Sequence, residues 1–205
     1  EDFKRFGKPR LGFLVSAGNI DSMVAHYTVA KRKRNYDYYS PGGKFGLRPD
    51  RAAEVYCKLI REAYPDSPII IGGLEASLRR FAHYDYWDDA VKPSILIDST
   101  ADLLMFGMGE KHVVEIAQRL NSGENIHDMH DILGTCYAVD TRDYTVQSAK
   151  ECPSFEAVSE NSEKGKRKYA ESTYIQQTEH DAVRGRTVIQ RHGNKIVVQY
   201  PPMPP

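Results

Sequence analysis

Four short apolar runs, separated by stretches of helical periodicity, constrain this chain more than any other feature. Leu11–Ala17 ends at Gly18, Pro68–Ile71 runs into Gly72 and Gly73, Leu103–Phe106 runs into Gly107, and Ile95–Ile97 stands between the last two. Each run is continuous in apolar residues rather than alternating, as strands of a parallel sheet covered on both faces are. Between them the spacing predicts helices. Asp21 or Ser22 can cap the first, with Met23, Val24, Tyr27 and Ala30 on one face and the cationic run Lys31–Arg34 at its negative end. Asp50 can cap the second, where Val55, Tyr56, Leu59, Ile60 and Ala63 recur before Pro65 stops it. A third carries Val113, Ile116, Ala117 and Leu120 and ends near Gly123. Strands alternating with helices predict an α/β fold with an open parallel sheet and helices on both faces.

The last third differs. Residues 150–182 are polar, with a helix expected within Glu156–Glu179. Thr187–Gln190, a turn at Arg191–Asn194 and Lys195–Gln199 predict a β-hairpin. The end, Tyr200–Pro205, has the composition of a connector. The chain therefore divides into an α/β domain over 1–125 and a helix-plus-hairpin extension or linker over 126–205.

Lys and Arg together number 28, as do Asp and Glu, so the net charge is zero. That balance argues against bulk capture of nucleic acid, while leaving room for a local basic patch. No apolar run is long enough to span a bilayer, and EDFKRFGKPR at the start has no signal-peptide core. A cytoplasmic protein without membrane contact is the expectation. Cys57, Cys136 and Cys152 are widely spaced and include no CxxC pair, so no metal site is expected in this chain.

Ligands of open α/β sheets bind beyond the carboxyl ends of the strands. Three turns belong to that edge: Ser16, Gly18 and Asn19; Gly72, Gly73 and Glu75; and Gly107, Gly109 and Glu110. Their glycines let a backbone approach a ligand, and the preferred reading is that they simply make the turns. Nucleotide fingerprints fail: Gly107-Met-Gly109 is followed by His112 where GxGxxG needs glycine, and Gly43-Lys44 lacks the next Ser or Thr of a P-loop. Residues 76–89 concentrate Arg79, Arg80, His83, two tyrosines, the only tryptophan and Asp88 and Asp89. The arginines can clamp an anion and the rings can stack on a planar ligand or partner. A loop covering a core edge explains them equally well. His127–Asp131 has the residue types of half a metal site, and a surface turn is the preferred reading. Lys31–Arg34, Arg79, Arg80 and the tyrosine-rich loops also support an alternative function, an RNA- or protein-binding module.

Ser16–Thr28 (SAGNIDSMVAHYT), Tyr39–Ala52 (YSPGGKFGLRPDRA), Ile71–Trp87 (IGGLEASLRRFAHYDYW) and Ala101–Glu110 (ADLLMFGMGE), read in order, resemble the YgiQ-like family of radical S-adenosylmethionine (SAM) iron–sulfur proteins. The resemblance implies a Rossmann-like domain similar to cobalamin-binding domains, preceded by an earlier strand and helix and followed by a barrel. The barrel would carry a CxxxCxxC motif holding a 4Fe–4S cluster, which cleaves S-adenosylmethionine to a 5′-deoxyadenosyl radical. That motif does not occur here, so no cofactor is expected on this chain and the barrel of the same protein is its expected partner. Cobalamin is not implied, because the DxHxxG motif of base-off sites is missing; a cobalamin-type small-molecule domain stands as a further alternative. The substrate is left open.

Overall fold

The computed structural model describes residues 2–204; Glu1 and Pro205, the outer limits of the two expected segments, lie outside them. β1 (Phe13–Val15), β2 (Ile69–Ile71) and β5 (Leu103–Met105) pair in parallel. β6 (Thr135–Asp140), β9 (Lys195–Gln199) and β8 (Val188–His192) extend this unit by antiparallel pairing, and the short β7 (Lys150–Glu151) closes the far edge parallel to β8. The sheet order is β1-β2-β5-β6-β9-β8-β7. β5 and β6 pair across residue 125, so strands from both sides of that position share one sheet. A separate antiparallel pair, β3 (His83–Asp85) and β4 (Ala90–Lys92), lies within the β2–β5 connection. The fold is α/β and Rossmann-like in its parallel half.

Strand side chains alternate between two cores, because successive residues point to opposite faces. Ile69, Ile71, Leu104, Cys136, Val188 and Val197 face one core, with Ala52, Ala53, Cys57 and Ile60 of α2 (Ala52–Ala63) and Ile175 of α7 (Glu163–Thr178). Ile70, Leu103, Tyr137, Ile189, Ile196 and Val198 face the other, with Ile116 of α5 (Glu110–Asn121) and the segment Ile126–Ile132. Helices thus cover both faces.

Several expectations give way to local chemistry. Ile95–Ile97 forms not a strand but the first residues of α4 (Ile95–Asp98), because the Ser94 hydroxyl accepts the Leu96 N–H as an N-cap. The first helix, α1 (Ser22–His26), has only five residues. It buries Ser22 and His26, not Met23 and Val24, and Tyr27 is already extended. Lys31–Arg34 therefore do not end a helix: Lys31 turns the chain at φ 55°, and Tyr27 forms a bridge with Lys33. Arg34 still meets the helix end, donating from Nε to the carbonyls of Val24 and Tyr27. Asp50 is not the cap of α2; Arg51 holds that position at φ 51°. The Asp50 carboxylate instead accepts from His26 and Tyr27. Along α2 the buried residues are Ala52, Ala53, Cys57 and Ile60, while Leu59 is exposed.

The polar region between 150 and 182 holds two helices, α6 (Phe155–Ser159) and α7, capped by the Ser154 and Ser162 hydroxyls. The hairpin is present with a tighter turn than expected: His192 pairs with Lys195, leaving Gly193 (φ 59°) and Asn194 at the tip. It inserts β9 into the middle of the sheet. Buried glutamines on it hold the chain after α3 (Gly73–Leu78). The Gln190 side-chain carbonyl accepts the Ala82 N–H at 2.7 Å, and that of Gln199 accepts Nε–H of Arg80 at 2.8 Å.

Candidate functional site

Because β1, β2 and β5 are parallel, the turns that follow them share one edge of the sheet. The first two turns touch. A Cβ on Gly73 would lie 2.5 Å from Ser16 Oγ, and Gly73 has φ +81°, so only glycine fits this approach. Gly72 lies beside the Met105 carbonyl, where a Cβ would stand at 3.5 Å. Gly18 lies under the Tyr39 ring, whose hydroxyl donates to the Asn19 side-chain carbonyl. The third turn stands apart. Gly107 has φ +77°, nothing would crowd a Cβ on Gly107 or Gly109, and Met108 between them is 79% exposed.

Glu75 faces inward. Its carboxylate accepts the Ser22 N–H at 2.7 Å and the Ala53 N–H at 3.0 Å, joining the N-termini of α1 and α2. A carboxylate there satisfies donors that have no intrahelical partner and meets the positive ends of both dipoles. Glu110 begins α5. Arg79 is paired with Asp21, the cap of α1, and donates to the Glu75 carbonyl. Arg80 turns the other way, onto the Phe106 ring at 4.5 Å and Gln199 of β9. The two adjacent arginines therefore form no joint clamp.

A roof over β1, formed by residues that the motif reading did not assign a role, completes this end. The Arg48 guanidinium grips Asp37 from Nε (2.9 Å) and Nη2 (3.1 Å), and its Nη1 donates to the Ala17 carbonyl. Asp37 also accepts from Ser40 Oγ and the Tyr39 N–H, and His26 lies between Asp37 and Asp50 at 3.3 and 2.7 Å. Burial works to raise the Asp37 carboxyl, but the Arg48, Tyr39 and Ser40 hydrogen bonds and the Arg48 charge outweigh it and hold the group well below the usual range. The signal for this cluster was the string Tyr39–Ala52 itself; nothing in its spacing pairs Arg48 with Asp37.

The aromatic segment lines an apolar groove of about 410 Å³ with Val24, Tyr27, Leu78, Tyr84, Tyr86 and Trp87. Tyr27 and Trp87 approach to 4.2 Å between centroids, and Lys31 lies over Tyr86 and Trp87 while donating to the Trp87 carbonyl. On the other side of Asp85, a charged cavity of about 170 Å³ holds Arg51, His83, Asp85 and Asp98. Burial and then the Arg79 charge push His83 down to about 4. His127 is exposed and His130 stacks on Tyr137 at 3.9 Å, matching a surface turn.

The chain matches the family model described as radical SAM N-terminal over residues 1–205. The chain belongs to the radical SAM N-terminal family. A UPF0313 protein of Clostridium botulinum (strain Okra / Type B1) is 56% identical over 205 residues, covering all of this chain and 31% of the relative. A UPF0313 protein of Clostridium perfringens (strain ATCC 13124) is 55% identical over 205 residues, again covering all of this chain and 30% of the relative. The radical SAM N-terminal chain thus spans about a third of the length of these curated relatives. No solved structure matches it.

The 4Fe–4S cluster suggested by this family does not fit the residues present. Cys57 on α2, Cys136 on β6 and Cys152 just after β7 are buried in the core. Burial pushes their thiols up to about 12, about 12 and about 11, whereas a metal ligand must be a thiolate. Among the described residues no group of His, Cys, Asp or Glu is placed to hold a metal ion, and no helix is long and apolar enough to cross a membrane.

Proposed function

We propose that this radical SAM N-terminal domain is an accessory part of a 4Fe–4S, S-adenosylmethionine-dependent enzyme. It is not catalytic alone, and its carboxyl sheet edge faces the substrate or cofactor side of the active centre. The carrying observation is where that edge leads. β9, separated from β5 by the antiparallel β6, runs in the same direction as β5, so its end reaches the edge that bears Gly107. Beyond it, the Pro201 carbonyl accepts the Gly134 N–H at 2.7 Å, and Lys111 at the start of α5 reaches the Pro204 carbonyl. A following barrel would leave from that edge. Exposed Leu74, Leu78 and Met108 lie on or next to the same turns and suit burial against it. When bound elsewhere in the protein, the cluster and S-adenosylmethionine supply radical chemistry; this domain supplies shape and surface. A reducing cytoplasm suits its three free thiols.

Anaerobic reconstitution with iron and sulfide tests the reading. The 205-residue chain should acquire no stable 4Fe–4S absorbance, whereas a full-length clostridial relative should. A stable, stoichiometric cluster on the short chain would overturn it.

A further inference from the structure

Among the described residues, Arg80 at this sheet edge has no carboxylate partner for its charge. Its guanidinium lies half-buried between α3 and α7, flat over Phe106. Nε donates to the neutral side-chain carbonyl of Gln199 and Nη1 to the Ser77 carbonyl. Among the described residues no carboxylate reaches it, and Nη2 has no partner. Glu179, the C-cap of α7, is already held by Arg186, through both its guanidinium and its backbone N–H. An arginine cannot escape burial by losing its proton, as a lysine or histidine can. The Phe106 ring and the C-terminal carbonyls of α7 soften the charge without neutralising it.

The guanidinium opens into a cavity of about 360 Å³ lined also by Ser77, Thr173, Gln176, Gln177 and His180. That volume is within the range of small-molecule sites. The Ser77 hydroxyl, the Gln177 amide and the His180 ring line this space beside Arg80, and none of them has a side-chain hydrogen bond among the described residues. Phe106, whose ring centroid lies 4.5 Å from the Arg80 guanidinium and 5.7 Å from the His180 ring, is the residue before Gly107. We propose that this cavity is an oxyanion site for a small organic ligand, binding a carboxylate or phosphate group through the free side of the Arg80 guanidinium, with Gln177, Ser77 and His180 as further contacts. Fork-like pairing of guanidinium N–H groups with such oxygens is the strong form of this contact. The proposal does not depend on the accessory-domain reading: an anion site can exist on this chain whatever the rest of the protein catalyses.

Titration of the isotopically labelled chain with inorganic phosphate and, separately, acetate, each against sodium chloride of equal ionic strength, tests it by amide NMR. Saturable shifts confined to residues 77–80 and 173–180 are expected with at least one oxyanion and not with chloride; the tighter arm identifies the class. Arg80→Gln should weaken binding at least tenfold. Because Arg80 also contacts Gln199, a second variant at the exposed rim, Gln177→Glu, supplies an internal carboxylate, and it too should abolish binding. Shifts that never saturate, equal those in chloride, or survive both substitutions would overturn the proposal.

Discussion

Over the end of β1 the charges are paired, whereas beside the end of β5 Arg80 has no counter-ion among the described residues. The two places share one sheet edge, and each sets an arginine near an aromatic ring: Arg48 over Tyr39 at 4.9 Å and Arg80 over Phe106 at 4.5 Å. Around Arg48, Asp37 answers the cation, His26 and Asp50 continue the lattice, and Tyr39 closes over Gly18. Around Arg80 there are neutral donors, an open cavity and an uncrowded glycine turn. Saturated charge is architecture, because removing one buried partner strands the other. Unsaturated charge at an open edge is the signature of a group that arrives from outside.

Acid should break the comparison most strongly. His192 is buried against Phe155 with neither ring nitrogen partnered, and burial pushes it down to about 4; His83 is held at about 4 as well. An unfolded histidine titrates near 6.5, so between about 6.5 and 4 the unfolded chain binds more protons. Stability is therefore full above that window and falls as pH drops through it, by on the order of 3 kcal/mol for His192 alone. Asp37 stays ionised there. Hydrogen exchange near pH 5 should show β8 and β9 opening before residues 35–50. The reverse order would remove the distinction between a locked charged roof and an acid-sensitive hairpin built around an unpartnered histidine.

Asp37→Ala comes next. It leaves Arg48 and His26 facing an empty carboxylate position and should cost about 3 kcal/mol in urea denaturation. A loss below about 1 kcal/mol would mean that the lattice is ornamental.

Arg80→Leu should lie within about 1 kcal/mol of the parent, because it removes a half-buried charge whose desolvation no ion pair offsets. A large loss would show Arg80 to be architecture after all. The smallest effect concerns His180, which burial and then the Arg80 charge lower. In Arg80→Gln its NMR titration should move upward; an unmoved curve would separate the two groups.

The parallel core was legible because buried strands are continuous apolar runs: Ile69–Ile71 and Leu103–Met105 were visible as such. The hairpin was legible from Gly193-Asn194. Three residues cannot distinguish a strand from a helix, however, and Ser94 decided the fate of Ile95–Ile97. The insertion of β9 between β6 and β8 depends on pairings 60 or so residues apart, which no local pattern encodes. At the edge, the glycine turns were visible, but the opposite fates of Arg79 and Arg80 were not. They depend on Asp21 and on Gln199, 58 and 119 residues away respectively.

If the domain is an accessory part of a larger enzyme, its carboxyl edge is an interior surface there. Hydrogen-exchange mass spectrometry on a full-length UPF0313 relative and on its region corresponding to this chain measures that directly. Peptides matching residues 72–80 and 106–110 should exchange at least tenfold more slowly in the full-length protein, with α2 unchanged. Equal exchange at both turns, or protection confined to the opposite edge, would contradict it.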